Sequence, residues 1–209
     1  MGESAPVGWR DVGYESCGRC NVLMCRVTHA GTRGLQPSQR AAHFDESTPL
    51  TGCAQSGEPA QVSPLVVVPF SSRHQTQARQ LILSGLAERW GAIDDSRNPD
   101  LDDLAASFAS GAFLVAVRAG TVVGTGGLLP RGPATAEIVR MSVAAGERRQ
   151  GLGRRLVSAL VEIARGWGAE RVVCETTSEW VSAVALYLEC GFSVTHEADG
   201  DTYFERILV

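Results

Sequence analysis

Arg148-Arg149-Gln150-Gly151-Leu152-Gly153 is the stretch of this chain best suited to chemistry. It lies between a strand-like run, Ala136 to Val143, and a long amphipathic run that opens at Leu152. A Gly-rich turn feeding a helix N-terminus is an anion cradle. Its unpaired backbone N–H groups converge, and the helix dipole adds partial positive charge. Glycines let the backbone approach a phosphate with no Cβ in the way. The spacing R-x-x-G-x-G is neither the G-x-x-x-x-G-K-[ST] of a nucleotide P-loop nor the G-x-G-x-x-G of a dinucleotide fold. Its placement between strand and helix gives it weight. A second candidate group is Glu137, in the strand-like run. Side chains alternate along a strand, so Glu137 is expected to share a face with Val139, Met141 and Val143. A carboxylate on an otherwise apolar face is a candidate general base; the alternatives are an ion pair with an arginine or an exposed acid at the strand end.

The surrounding elements can be read from pattern. Leu65 to Phe70 reads as a first strand and Gln75 to Trp90 as a helix, with Ala78, Leu81, Ile82, Leu86 and Trp90 near helical spacing. Asn98-Pro99-Asp100 reads as the start of a second helix running to about Ser110. Phe113–Val117 and Val122–Val123 read as a hairpin turning at Ala119-Gly120. Leu152, Leu156, Leu160, Ile163 and Trp167 mark the apolar face of a third helix. Arg171–Cys174 reads as a buried strand, and Ser178 to Cys190 as a fourth helix with Gly191 after its end. Two strands close the chain, Phe192 to His196 and Thr202 to Leu208, with a turn at Asp199-Gly200. The order βααβββαβαββ is that of a mixed-sheet α/β (α+β) domain.

Three pieces in this order resemble the GNAT superfamily of acetyl-coenzyme A-dependent N-acetyltransferases. Ala136–Val143 is similar to its splayed central strand, and Arg148–Gly153 to its pyrophosphate loop. Ala183-Val184-Ala185-Leu186-Tyr187-Leu188-Glu189-Cys190-Gly191-Phe192 is similar to its A-x-x-L-Y-x-x-x-G-F helix and strand start. The resemblance covers residues 64–209. It implies a mixed central sheet with a splayed strand pair, flanked by about four helices. It also implies acetyl-coenzyme A as cosubstrate and an amine as acceptor, a small molecule or a protein amino group.

By the same resemblance, the backbone N–H groups of Arg149, Gln150, Gly151, Leu152 and Gly153 hold the pyrophosphate. Arg148 helps by charge, and Arg154 and Arg155 add positive potential. Met141 and Val143 offer backbone groups to the pantetheine arm. Glu137 is the expected general base and Tyr187 the expected general acid. A phenol ionising near pH ~10 is a suitable proton donor to a departing thiolate. One departure stands out: family members often carry Asn where this chain has Trp180. A rival reading is a non-catalytic acyl-coenzyme A-binding sensor. It shares the loop but needs neither Glu137 nor Tyr187.

Composition sets the bounds. The chain has 209 residues, enough for one domain and an extra segment, with 44% hydrophobic residues and a net charge of −4. That balance argues against non-specific nucleic-acid binding. All 19 basic residues are arginine. No apolar run approaches the ~20 residues of a membrane span, and no basic-then-apolar leader opens the sequence. The expectations are a cytoplasmic protein with no nucleic-acid or membrane partner, and a homodimer as an admissible assembly. Residues 1–63 are rich in Gly, Ser, Pro, Thr and Arg and read as a low-complexity, disordered extension. They hold Cys17, Cys20, Cys25 and Cys53. Without a second C-x-x-C pair, no metal site is assigned there. For the acceptor side, Asp94 and Asp95 are candidates to attract a cationic amine. Asp100, Asp102 and Asp103 read as charge favourable to a helix start.

Overall fold

A computed structural model describes residues 63–208. The expected extension and its Cys17–Cys20 pair lie outside the described residues. Runs rich in β-branched and other apolar residues give most of the seven strands: β1 Leu65–Pro69, β2 Ala112–Arg118, β3 Thr121–Pro130, β4 Thr135–Val143, β5 Arg171–Thr177, β6 Ser193–Ala198 and β7 Asp201–Ile207. They form one sheet in the order β1-β2-β3-β4-β5-β7-β6. All neighbours are antiparallel except β4 and β5, which are parallel. The helices are α1 Gln75–Trp90, α2 Leu104–Ser107, α3 Leu152–Gly166 and α4 Val181–Glu189. The element order agrees with the sequence reading, and the hairpin turns at Ala119 and Gly120, both at positive φ.

Two hydrophobic clusters lie on the two faces of the sheet. On one face, α3 buries Leu152, Leu156, Val157, Leu160, Val161 and Ala164 against Leu114, Ala116, Leu128, Ala136, Ile138 and Val172. On the other, Ala78 and Ile82 of α1, with Leu101, Leu104 and Phe108, cover Phe113, Val115, Val122 and Val139. The apolar stripe of α1 is thin, with only Ala78 and Ile82 buried, and polar side chains help fasten the helix. Gln75 bonds the Leu101 carbonyl at 2.8 Å and takes the Leu104 N–H at 3.0 Å, while Gln77 takes the Val122 N–H at 2.7 Å.

Two expectations about the helices are corrected. The second helix is not continuous. Pro99–Leu101 is a single 3₁₀ turn, and only Leu104–Ser107 is α-helical, capped by Asp103. Leu101 and Leu104 are both fully buried, so packing overrides the continuous pattern here. Trp167 leaves the apolar face of α3: it is the C-cap residue and 42% exposed.

The irregularity that shapes the site lies in β4. Its pairing with β5 stops after three pairs, at Glu137 opposite Val173, although both strands run on. From Ile138 to Val143, β4 therefore has no ladder to β5, and the sheet is split. On its other edge β4 carries a bulge. Thr125 pairs with Ser142 and Gly127 with Val139, so Arg140 and Met141 together face Gly126. Arg140 has φ of 54°, in the left-handed region. The extra residue exchanges the faces beyond it. Met141 and Val143 pack with the α3 cluster, whereas Ser142 reaches the Leu81 carbonyl of α1 at 3.3 Å. The expectation that Glu137, Val139, Met141 and Val143 share one face fails for the last two residues.

Candidate active site

The split between β4 and β5 opens into a cavity of about 840 Å³. Its walls are the last turns of α1, strand β4 from Glu137 to Val143, the loop before α3, the end of β5 and the inner side of α4. Nine of the eleven expected site residues line it: Glu137, Met141, Val143, Arg148, Arg149, Gly151, Gly153, Arg154 and Tyr187. Gln150 and Leu152 do not. The Gln150 side chain folds back on the Gly146 carbonyl at 2.8 Å, and Leu152 is buried in the α3 cluster. Leu152 has only its backbone N–H to offer.

The loop has the geometry of an anion nest. Arg149 and Gly151 have φ of 60° and 81° with Gln150 between them at negative φ, and such alternation turns successive N–H groups inward. Arg155 N–H bonds the Gly151 carbonyl at 3.1 Å and closes the first turn of α3. The N–H groups of Leu152, Gly153 and Arg154 precede that bond at the helix start, where intrahelical acceptors run out. The two glycines serve different needs. Gly151 meets the backbone demand for positive φ, whereas a Cβ on Gly153 would stand 3.1 Å from Leu186 of α4. Gly153 therefore lets two helices approach.

Arg148 is less available than the resemblance implies. Its Nε donates to the Val143 carbonyl at 2.9 Å, and its two terminal nitrogens grip Glu88 of α1 at 2.7 and 2.6 Å. That bond holds the Glu88 carboxyl below its ordinary range and raises the Arg148 guanidinium. Arg154 lies 3.5 Å from Glu189, both well exposed. Arg155 points away, to the Leu65 carbonyl. Two residues on from Glu88, Trp90 packs on Trp180, ring centroids 4.4 Å apart, with the Arg89 guanidinium 4.3 Å from the Trp180 ring centroid. Trp180 thus bridges from α4 to α1 across the cavity mouth.

At the inner end, Glu137 is 5% exposed and ion-paired with Arg131 of the β3–β4 turn. Tyr187 is buried against Phe192 and Phe204 and hydrogen-bonds Cys174 of β5. Burial, then the neighbouring Cys174 and Cys190 sulfurs, push the phenol well above its usual value. Burial, then the Glu137 charge, does the same to the Cys174 thiol. Both groups are thereby kept protonated. Asp94 and Asp95 do not line the cavity; they pair with Arg97 at 3.5 Å and Arg79 at 3.1 Å. Sequence reasoning missed Arg131, Cys174, Glu88 and Glu175, the last lining the cavity from β5. None has a local signal, because each partner is distant in sequence or on another strand.

A mixed sheet split beside an anion nest, with a buried carboxylate and phenol at the split, defines an acetyltransferase-type fold. The chain belongs to the Acetyltransferase (GNAT) family, whose model matches residues 78–192. Rat N-acetyltransferase 8B is 35% identical over 117 residues, 52% of this chain and 50% of that protein. The chain spans about half the length of the curated relatives it matches. A GNAT-family acetyltransferase structure from Staphylococcus aureus has a TM-score of 0.65 at 20% identity, over 70% of this chain and 100% of the other. A putative acetyltransferase from Salmonella typhimurium, solved with acetyl-CoA, has a TM-score of 0.58 at 20% identity, over 70% and 95%. At such identities the structural likeness shows the fold.

Proposed function

We propose that this chain transfers an acetyl group from acetyl-coenzyme A to a primary amine by direct attack. The observation that carries the reading is the split itself. It places Glu137 and Tyr187 on one cavity with the nest at the start of α3. The cavity size is that of a small-molecule or cofactor site. The nest suits a diphosphate, and the unladdered edge of β4 suits an amide-bearing arm that needs backbone partners.

The bound donor supplies the thioester and departs as the thiol. The N–H groups from Arg149 to Gly153, with Arg154 nearby, hold its diphosphate. Backbone groups at Met141 and Val143 align its arm. Glu137, directly or through one water, takes the proton from the amine as nitrogen bonds to the carbonyl carbon. Tyr187, kept neutral by burial, gives its proton to the sulfur as the C–S bond breaks. The proton on Glu137 then leaves to solvent, and the phenol is reprotonated. Arg131 orients the Glu137 carboxylate, and Cys174 orients the phenol.

Thiol release from acetyl-coenzyme A across polyamines, amino acids, aminoglycosides and peptides tests the reading. Release with one class, and acetylated product by mass spectrometry, supports it and names the acceptor. A folded protein that binds coenzyme A and releases thiol with none of them favours a sensor.

A further inference from the structure

Resting on that reading, the geometry points to Arg140 as a positioning residue: its ion pair with Asp100 holds β4 in the bulged register and so sets which backbone groups face the donor.

Arg140 is an unusual residue for its place. It lies in the middle of a sheet, its side chain is 4% exposed, and its φ of 54° is unfavourable for a residue with a Cβ. Such a conformation persists only when the surroundings impose it. Here they do so at three points. Asp100 accepts from Nε at 2.8 Å and from a terminal nitrogen at 2.6 Å. Asn98, itself 3% exposed, accepts from the other terminal nitrogen at 3.1 Å. The backbone carbonyl of Arg140 accepts from Thr125 Oγ1 at 2.9 Å, and Thr125 is fully buried.

The register follows from charge. Ile138 points into the α3 cluster. In an unbulged strand Arg140 would point there too, two residues on. A guanidinium in that cluster would be desolvated with no carboxylate to meet it. The bulge turns it to the opposite face, where Asp100 and Asn98 wait on a turn anchored by buried Leu101. The same one-residue slip moves Met141, Ser142 and Val143 to exchanged faces, and with them the edges to which their N–H and C=O groups point. These residues are in the part of β4 without a ladder to β5. The ion pair thus connects the turn before α2 to the backbone edge that would meet the donor arm. Asp100 reads in sequence as a helix-start acid and Asn98 as its cap; both side chains are instead spent on Arg140.

Coenzyme A binding by calorimetry, with full-length variants R140G, D100N and the double variant, tests this. Glycine tolerates the left-handed backbone, so R140G removes the tether without adding strain. The expected result is at least ten-fold weaker binding by R140G, with far-ultraviolet circular dichroism unchanged. D100N should weaken binding by less. In the double variant the losses should not multiply, because both act through one tether. Binding by R140G within two-fold of wild type overturns the proposal, as do losses that multiply. If R140G does not fold, D100N carries the test: wild-type affinity there overturns it. A wild-type protein that binds no coenzyme A overturns the functional reading itself, and this inference with it.

Discussion

Tyr187 and Glu137 reach the split from opposite faces of the sheet. Tyr187 packs within the α3 cluster, and Glu137 alternates with Ile138 onto the α1 face. In the proposed mechanism, that separation lets one group serve the amine and the other the sulfur. Tyr187→Phe should lower kcat by about 10²-fold or more, the usual worth of a positioned acid, with coenzyme A affinity little changed. Steady-state thiol release with calorimetry checks this; an unchanged kcat would remove Tyr187 from the reaction. The variant also strips Cys174 of its hydrogen bond, which should cost about 1 kcal/mol of stability.

The elements matter for how closely they approach. The Gly-rich run of β3 is a packing device. A Cβ on Gly127 would lie 2.3 and 2.7 Å from ring atoms of Phe108, which caps α2. Gly127→Ala should therefore destabilise by about 1–3 kcal/mol through overpacking. A melting temperature several degrees lower is the expected reading, and an unchanged one contradicts the account of β3. Legibility in the sequence followed locality. The turn at Ala119-Gly120, helix α1 and the loop from Arg148 to Gly153 all have signals within a few residues, and each lies where the pattern put it. The bulge at Arg140 does not, because its cause is an acid forty positions away. The second helix misled for a related reason: Asn98 and Asp100 are helix-start residues by type but are held by Arg140. The resemblance likewise implies that Arg148 helps at the phosphate by charge, while its hydrogen bonds go to Glu88 and Val143.

At the scale of the molecule, charge and burial make a prediction about pH. Tyr187 and Cys174 both titrate above their ordinary values of 10.0 and 9.0 in the folded state. The unfolded chain therefore loses these protons first as pH rises. Their contribution to stability is complete below the ordinary values and is lost progressively above them. The melting temperature should fall from about pH 9 upward, and Tyr187→Phe should flatten the part of that fall beginning near pH 10. Identical slopes in wild type and variant would contradict the burial argument. No helix among the described residues is long and apolar enough to cross a membrane.

The central claim is that Glu137 takes the proton from the acceptor amine at the split between β4 and β5. Single-turnover acetyl transfer by Glu137→Gln, with the donor saturating and the best amine of the panel, tests it most directly. Glutamine keeps the size and loses the base. The account predicts a transfer rate about 10²–10⁴-fold below wild type, with coenzyme A affinity unchanged. A rate within a few-fold of wild type would show that another group takes the proton, and the assignment would fall.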